Sequence, residues 1–101
     1  MMALLAPAFP GRDALLHQLS GVSVVQIDTE GSLEFHVEDA TVAEVARSIP
    51  VEATVRDVDD VVVHLLLHVV DGLLNELEVY REDSGPLVAP IDVRALEVIV
   101  L

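Results

Sequence analysis

The sequence predicts an α+β domain: one N-terminal helix packed on an antiparallel meander of about six strands. Three observations predict it. Leu15, Leu16 and Leu19 stand at helical spacing before Gly21, between a start and a stop signal; from Val22 onward apolar residues alternate with polar ones and turn residues recur; and Asp71-Gly72 divides the run Val61 to Tyr80 into two extended halves.

In chain order, Leu15, Leu16 and Leu19 share one face of a helix from about Gly11 to Ser20. Pro10 and Asp13 suit its start, and Gly21 stands where a left-handed residue closes a helix. Val22 to Asp28 reads as a first strand, and Asp28-Thr29-Glu30-Gly31 turns it into a second, Ser32 to Glu38. In that second strand Leu33, Phe35 and Val37 point one way and Glu34, His36 and Glu38 the other. Between Asp39 and Ile49 the signals conflict: Thr41 and Glu44 have capping-box spacing, whereas Val42, Val45 and Ile49 favour extension and Pro50 biases Ile49 away from helix. An extended segment is the expectation. Val51, Ala53 and Val55 then alternate with Glu52, Thr54 and Arg56, and Asp57 to Asp60 turn the chain into the hairpin. Asp92 is placed to cap one helical turn before a last strand from about Leu96 to Leu101.

The hairpin register can be argued from its carboxylates. A two-residue loop at Asp71-Gly72 would pair Val70 with Leu73 and put Glu76 and Glu78 on the face of Leu65 and Leu67. A carboxylate on a dry face costs several kcal/mol in order of magnitude, more than the difference between favoured turns. The expected register therefore has a three-residue loop, Val70-Asp71-Gly72, with Gly72 as the left-handed residue of a bulge. It sets His64 opposite Glu78 and Leu66 opposite Glu76, and groups Leu73, Leu77 and Val79 with Val63, Leu65, Leu67 and Val69.

Composition limits function. With 101 residues, 52% of them hydrophobic, the chain reads as a single domain spanning residues 1–101. The longest apolar run, Val61 to Val70, is ten residues and holds His64 and His68, well short of the roughly 20 that span a bilayer as a helix. Met1 to Phe9 lacks a basic region and is broken by Pro7 and Pro10, so no signal peptide is expected and the cytoplasm is the predicted compartment. Five basic against 18 acidic residues give a net charge of −13, which disfavours nucleic acid and anionic membrane and permits a basic protein partner. All five basic residues are Arg, a skew that fits a GC-rich bacterial genome. The absence of cysteine removes disulfides, thiolate catalysis and cysteine metal sites together.

Few residues carry candidate chemistry. His64 and His68 have the i, i+4 spacing of a helical zinc pair, but on a strand their Cα atoms lie roughly 13 Å apart, too far for one shared metal. No metal and no cofactor is expected. His64, His68, Glu76, Glu78 and Tyr80 cluster instead on one polar face with Leu66 and Leu74 between them, a semi-apolar surface suited to an interface or a ligand cleft. His17 and His36 read as surface residues. Asp57 to Asp60 resemble the opening of a calcium loop, but Val62 and His68 replace its glycine and its bidentate glutamate. Ser84 lacks the context of a nucleophile.

The segments FPGRDALLHQLSGV, GSLEFHV, IPVEATV and VHLLLHVVDGLLNELEVYREDSGP resemble a family of small uncharacterised bacterial proteins over most of the chain. The resemblance rests on Leu66-Leu67-His68-Val69, Asp71-Gly72 and Asn75-Glu76-Leu77-Glu78, and it implies no activity, cofactor or catalytic set. Asp59-Asp60 departs from the Asp-Gly of such proteins, so a longer loop is expected there. The functional expectation is a non-enzymatic domain that acts by self-association through the semi-apolar face, as a homo-oligomer, or by capture of a basic protein, as partner-neutralising proteins do. A small-molecule cleft lined by His64, Glu76, Glu78 and Tyr80 is the alternative.

Overall fold

Apolar residues at period two bury every second side chain from Val51 to Val55 and from Val63 to Val69, and these strands form the middle of a sheet. A computed structural model describes residues 2–38 and 41–101. Its strands are β1 (Ser23–Gln26), β2 (Leu33–His36), β3 (Val51–Arg56), β4 (Val62–Val70), β5 (Leu73–Arg81) and β6 (Glu97–Val100). They form one antiparallel sheet in the order β1-β2-β5-β4-β3-β6. With α1 (Arg12–Leu19), the one α-helix among the described residues, this is the expected α+β fold. The meander is complete from β3 to β5, whereas β2 docks on β5 and β6 returns to the outer edge of β3.

One face of the sheet holds the core. Leu15 of α1 and Leu4 and Leu5 of a 3-10 turn (Met2–Leu5) pack there with Phe35, Val51, Ala53, Val63, Leu65, Leu67, Leu77 and Val79. The buried Gln18 of α1 donates from Nε2 to the carbonyls of Thr41 and Gly72 at 2.9 Å, and its Oε1 accepts from the Leu74 N–H at 2.9 Å. One side chain thus ties the helix to the hairpin turn. Ser32 does the same for β2, since its hydroxyl accepts from the Val79 N–H at 2.8 Å and donates to the Val79 carbonyl.

Several local expectations are corrected. The left-handed glycine of α1 is Gly11 at its start, φ 87°, and not Gly21; the helix ends instead through Ser20 N–H to the His17 carbonyl and Gly21 N–H to the Gln18 carbonyl. From Thr41 to Ile49 the chain is neither helix nor strand, in keeping with the rejected capping box, while Asp39 lies outside the described residues. Asp92 does cap a 3-10 turn (Val93–Ala95), accepting from the Arg94 N–H at 3.0 Å. The β3–β4 connection is a longer loop, closed by Asp57 N–H to the Val61 carbonyl.

The hairpin register differs from the expectation in where its bulge lies. Asp71 and Gly72 both have positive φ, 52° and 76°, so the turn is the two-residue type I′ with Val70 opposite Leu73 and Val69 opposite Leu74. The shift comes next, between His68 and Val69: His68 lies opposite Glu76, which leaves Asn75 as the extra residue. Leu66 therefore faces Glu78 and His64 faces Tyr80, and Leu74 joins the core, 2% exposed. A one-residue shift in either direction moves Glu76 and Glu78 off the dry face, so parity alone could not choose between them.

Candidate functional site

Helix α1 covers only the inner face, so the side chains that alternate outward remain on an open surface. Directly paired residues share a side, which places Glu34 beside Glu76, Glu76 beside His68, Glu78 beside Leu66, Tyr80 beside His64, and Glu52, Thr54 and Glu97 further along. All five residues expected to form the site, His64, His68, Glu76, Glu78 and Tyr80, lie on this face.

They form two groups. In the first, His68 Nε2 lies 2.9 Å from Glu78 Oε1, and one ligand-capable atom from each of His68, Glu76 and Glu78 lies within 4.8 Å of the others. In the second, the His64 ring stacks on Tyr80 with centroids 4.9 Å apart and planes 14° from parallel, and its Nε2 lies 3.2 Å from Glu82 Oε1. The expected His64–Glu78 pair is not formed, because the bulge at Asn75 carries Glu78 to Leu66 and within reach of His68. Glu82 escaped sequence reasoning, since it follows the last residue of β5 and no periodicity extends to it. Leu66 separates the two groups and is half-buried, whereas Leu74 is absent from the face.

Sequence reasoning also missed the main charged cluster. Arg81, 5% exposed, ends β5 on the inner side, and its five N–H donors are all taken by Asp57, Asp59 and Asp83 at 2.7 to 3.1 Å. The guanidinium, followed by the Gly85 N–H, holds the Asp83 carboxyl down at about 2. Asp57 is likewise lowered, first by the Val88 N–H and further by Val58 N–H and Arg81, while the carboxylates of Asp83 and Asp59 raise Arg81 above its ordinary value. With every donor satisfied, the cluster clasps the loops after β3 and β5 and has no donor left for a ligand. The alternation of Asp57, Asp59 and Asp83 around a strand-end arginine is the signal that could have disclosed it.

Clefts lie at the margins of the open face among the described residues. One of about 350 Å³ is lined by Thr54, Arg56 and Glu97 among others, one of about 400 Å³ by His36, Asp71 and Asn75 among others, and one of about 460 Å³ by Arg56, Val62 and Glu82 among others; none of the three reaches His64, Glu76, Glu78 or Tyr80. Among the described residues no helix is long and apolar enough to cross a membrane.

Over residues 1–91 the chain matches a family described as a domain of unknown function (DUF6984). No curated protein and no solved structure matches it.

Proposed function

We propose that this chain, which belongs to the DUF6984 family of domains of unknown function, is a non-enzymatic binding domain that captures a basic protein on the open face of its sheet. The observation that carries the reading is the charge of that face. Glu34, Glu52, Glu76, Glu78 and Glu97 alternate outward, and Arg56 is the one arginine among the described strand residues paired on that side, around a half-buried Leu66. A net charge of −13 reinforces it, since the summed field attracts a cationic surface and speeds its encounter.

The reading is tested by affinity capture at low salt, followed by calorimetry with the purified captured protein. A basic partner is expected, with affinity that falls as salt rises from about 50 to about 200 mM and falls again in Glu52→Gln/Glu97→Gln. A chain that captures nothing basic, or a captured partner indifferent to both changes, sinks the proposal.

Self-association is the second reading, and it uses different strands. The sheet ends in the edges β1 and β6, which expose Val24 and Val25 on one side and Ile99 and Val100 on the other. Unpaired edge backbone with apolar side chains is a template for pairing with another chain. Face-to-face dimerisation would juxtapose two acidic surfaces, so a dimer is expected edge to edge. Light scattering of the wild type and of Ile99→Lys distinguishes the two: a dimer lost in the variant supports edge pairing, and a monomer in both removes it.

A further inference from the structure

We propose that His68, Glu76 and Glu78 form a binding site for one divalent transition-metal ion, Zn²⁺ matching the donor set best. The three residues come from adjacent strands, with His68 and Glu76 directly opposite and Glu78 one diagonal step away on the same side. Their ligand atoms already lie within 4.8 Å of one another. Around a tetrahedral ion with bonds of about 2.0 to 2.1 Å the ligand atoms stand about 3.3 Å apart, so small rotamer adjustments complete the convergence. The bulge at Asn75 creates the geometry, since it aligns His68 with Glu76 and leaves Glu78 within its reach.

A second observation concerns charge. Glu76 stands between His68 and, on β2, Glu34, and like charges directly opposite across strands destabilise a sheet. Glu34 is paired with His36 at 2.9 Å and Glu78 with His68 at 2.9 Å, while Glu76 has no ion pair among the described residues. Four of the five arginines are engaged elsewhere: Arg12 with Asp13, Arg56 with Asp60, Arg81 with its three aspartates and Arg94 with Asp92. A cation bound by Glu76, Glu78 and His68 offsets that repulsion and leaves Glu34 close by as a further carboxylate. The identity of the ion follows from the donors. One imidazole nitrogen with carboxylate oxygens suits Zn²⁺ and its first-row neighbours, whereas Mg²⁺ and Ca²⁺ favour all-oxygen shells. Three protein ligands on an open face leave at least one position for water or an exogenous group.

This inference requires no protein partner and stands if the proposed capture fails. The test is calorimetric titration of the metal-free full chain with Zn²⁺ alone. One ion per chain is expected. Losing even a group that only orients a metal ligand commonly costs about 10- to 100-fold in metal affinity, so His68→Ala and Glu76→Gln, which remove ligands, should each cost at least tenfold, with His17→Ala unchanged. Absence of saturable binding, or binding that survives His68→Ala intact, overturns the proposal. Co²⁺ added to the isotope-labelled wild type gives an answer independent of how the variants fold. Paramagnetic broadening centred on residues 67–68 and 76–78 supports the site, and broadening centred on His17 or His36 overturns it.

Discussion

Gly72 is the most closely hemmed in of the five glycines. Its φ of 76° belongs to the left-handed region, and a Cβ there would run into Val42 Cγ1 and come within 2.8 Å of the Ala43 carbonyl oxygen. Ala43 needs that closeness, because its N–H donates to the Gly72 carbonyl at 2.8 Å. Gly31 separates the two effects, having φ 98° but no atom within 4 Å of a built Cβ. Gly31→Ala should therefore cost about 1 to 2 kcal/mol of backbone strain alone, and Gly72→Ala measurably more, by urea denaturation of each variant. Equal losses would mean that the segment over the turn yields freely. Gln18 makes a comparable case among the polar residues. Replacing it by Leu takes Gln18 from the Leu74 N–H and the Thr41 carbonyl and leaves the Gly72 carbonyl with the Ala43 N–H, and the expected loss is about 1 to 3 kcal/mol.

At the scale of elements, the β4–β5 hairpin depends on one extra residue. Asn75 is the exposed bulge residue, and past it every outward side chain of β5 keeps its side only because the register has shifted. Deleting Asn75 removes the extra residue but leaves Glu76 opposite His68 and Glu78 opposite Leu66, so both carboxylates stay off the face of Leu65 and Leu67. The expected outcome is a cooperative unfolding transition in the deletion variant, seen by circular dichroism, as in Asn75→Ala. A deletion variant that loses cooperative unfolding would show that the packing of β5 requires the bulge itself. Helix α1, with eight residues and no side-chain cap at Gly11, has little stability of its own. It is held by burial of Leu15 and by the three hydrogen bonds of Gln18.

Across the whole molecule, charge works in two opposed ways. The net −13 repels itself, so added sodium chloride should raise the thermal midpoint at pH 7, as measured by calorimetry. The Arg81 clasp runs the other way and depends on ionised carboxylates. Unfolded, Asp83 takes up its proton near the ordinary 3.8; folded, it stays ionised down to about 2. Its stabilisation is therefore complete above the ordinary value and is lost as the pH falls through about 2, and Asp57 acts in the same direction. The midpoint should fall steeply on acidification from pH 4 to about pH 2, and Asp83→Asn should lower it at pH 7 while shallowing that fall. An unchanged acid limb in the variant would mean that other carboxylates carry it.

Much of the architecture was legible because it depends on local periodicity. The single helix, the alternating strands, the Asp28–Gly31 turn and the capped turn at Asp92 each follow from residues close in the chain. Legible too was the conflict at the hairpin, since Glu76 and Glu78 could not share a face with Leu65 and Leu67. The position of the bulge was not, because shifts of either sign relieve that conflict equally, and the choice depends on Gly72 and Leu74 meeting Ala43 and Gln18. The same holds for the site. That His64, His68, Glu76, Glu78 and Tyr80 share a face is a matter of parity, which sequence carries; which of them touch is a matter of register. Sequence by itself determined the helix, the alternating strands, the acidity and the polar face, all of which are local or summed properties. Only the tertiary structure decided that His68 meets Glu76 and Glu78, that His64 stacks on Tyr80 and that Arg81 gathers three aspartates, because each contact joins residues brought together by strand pairing and loop closure.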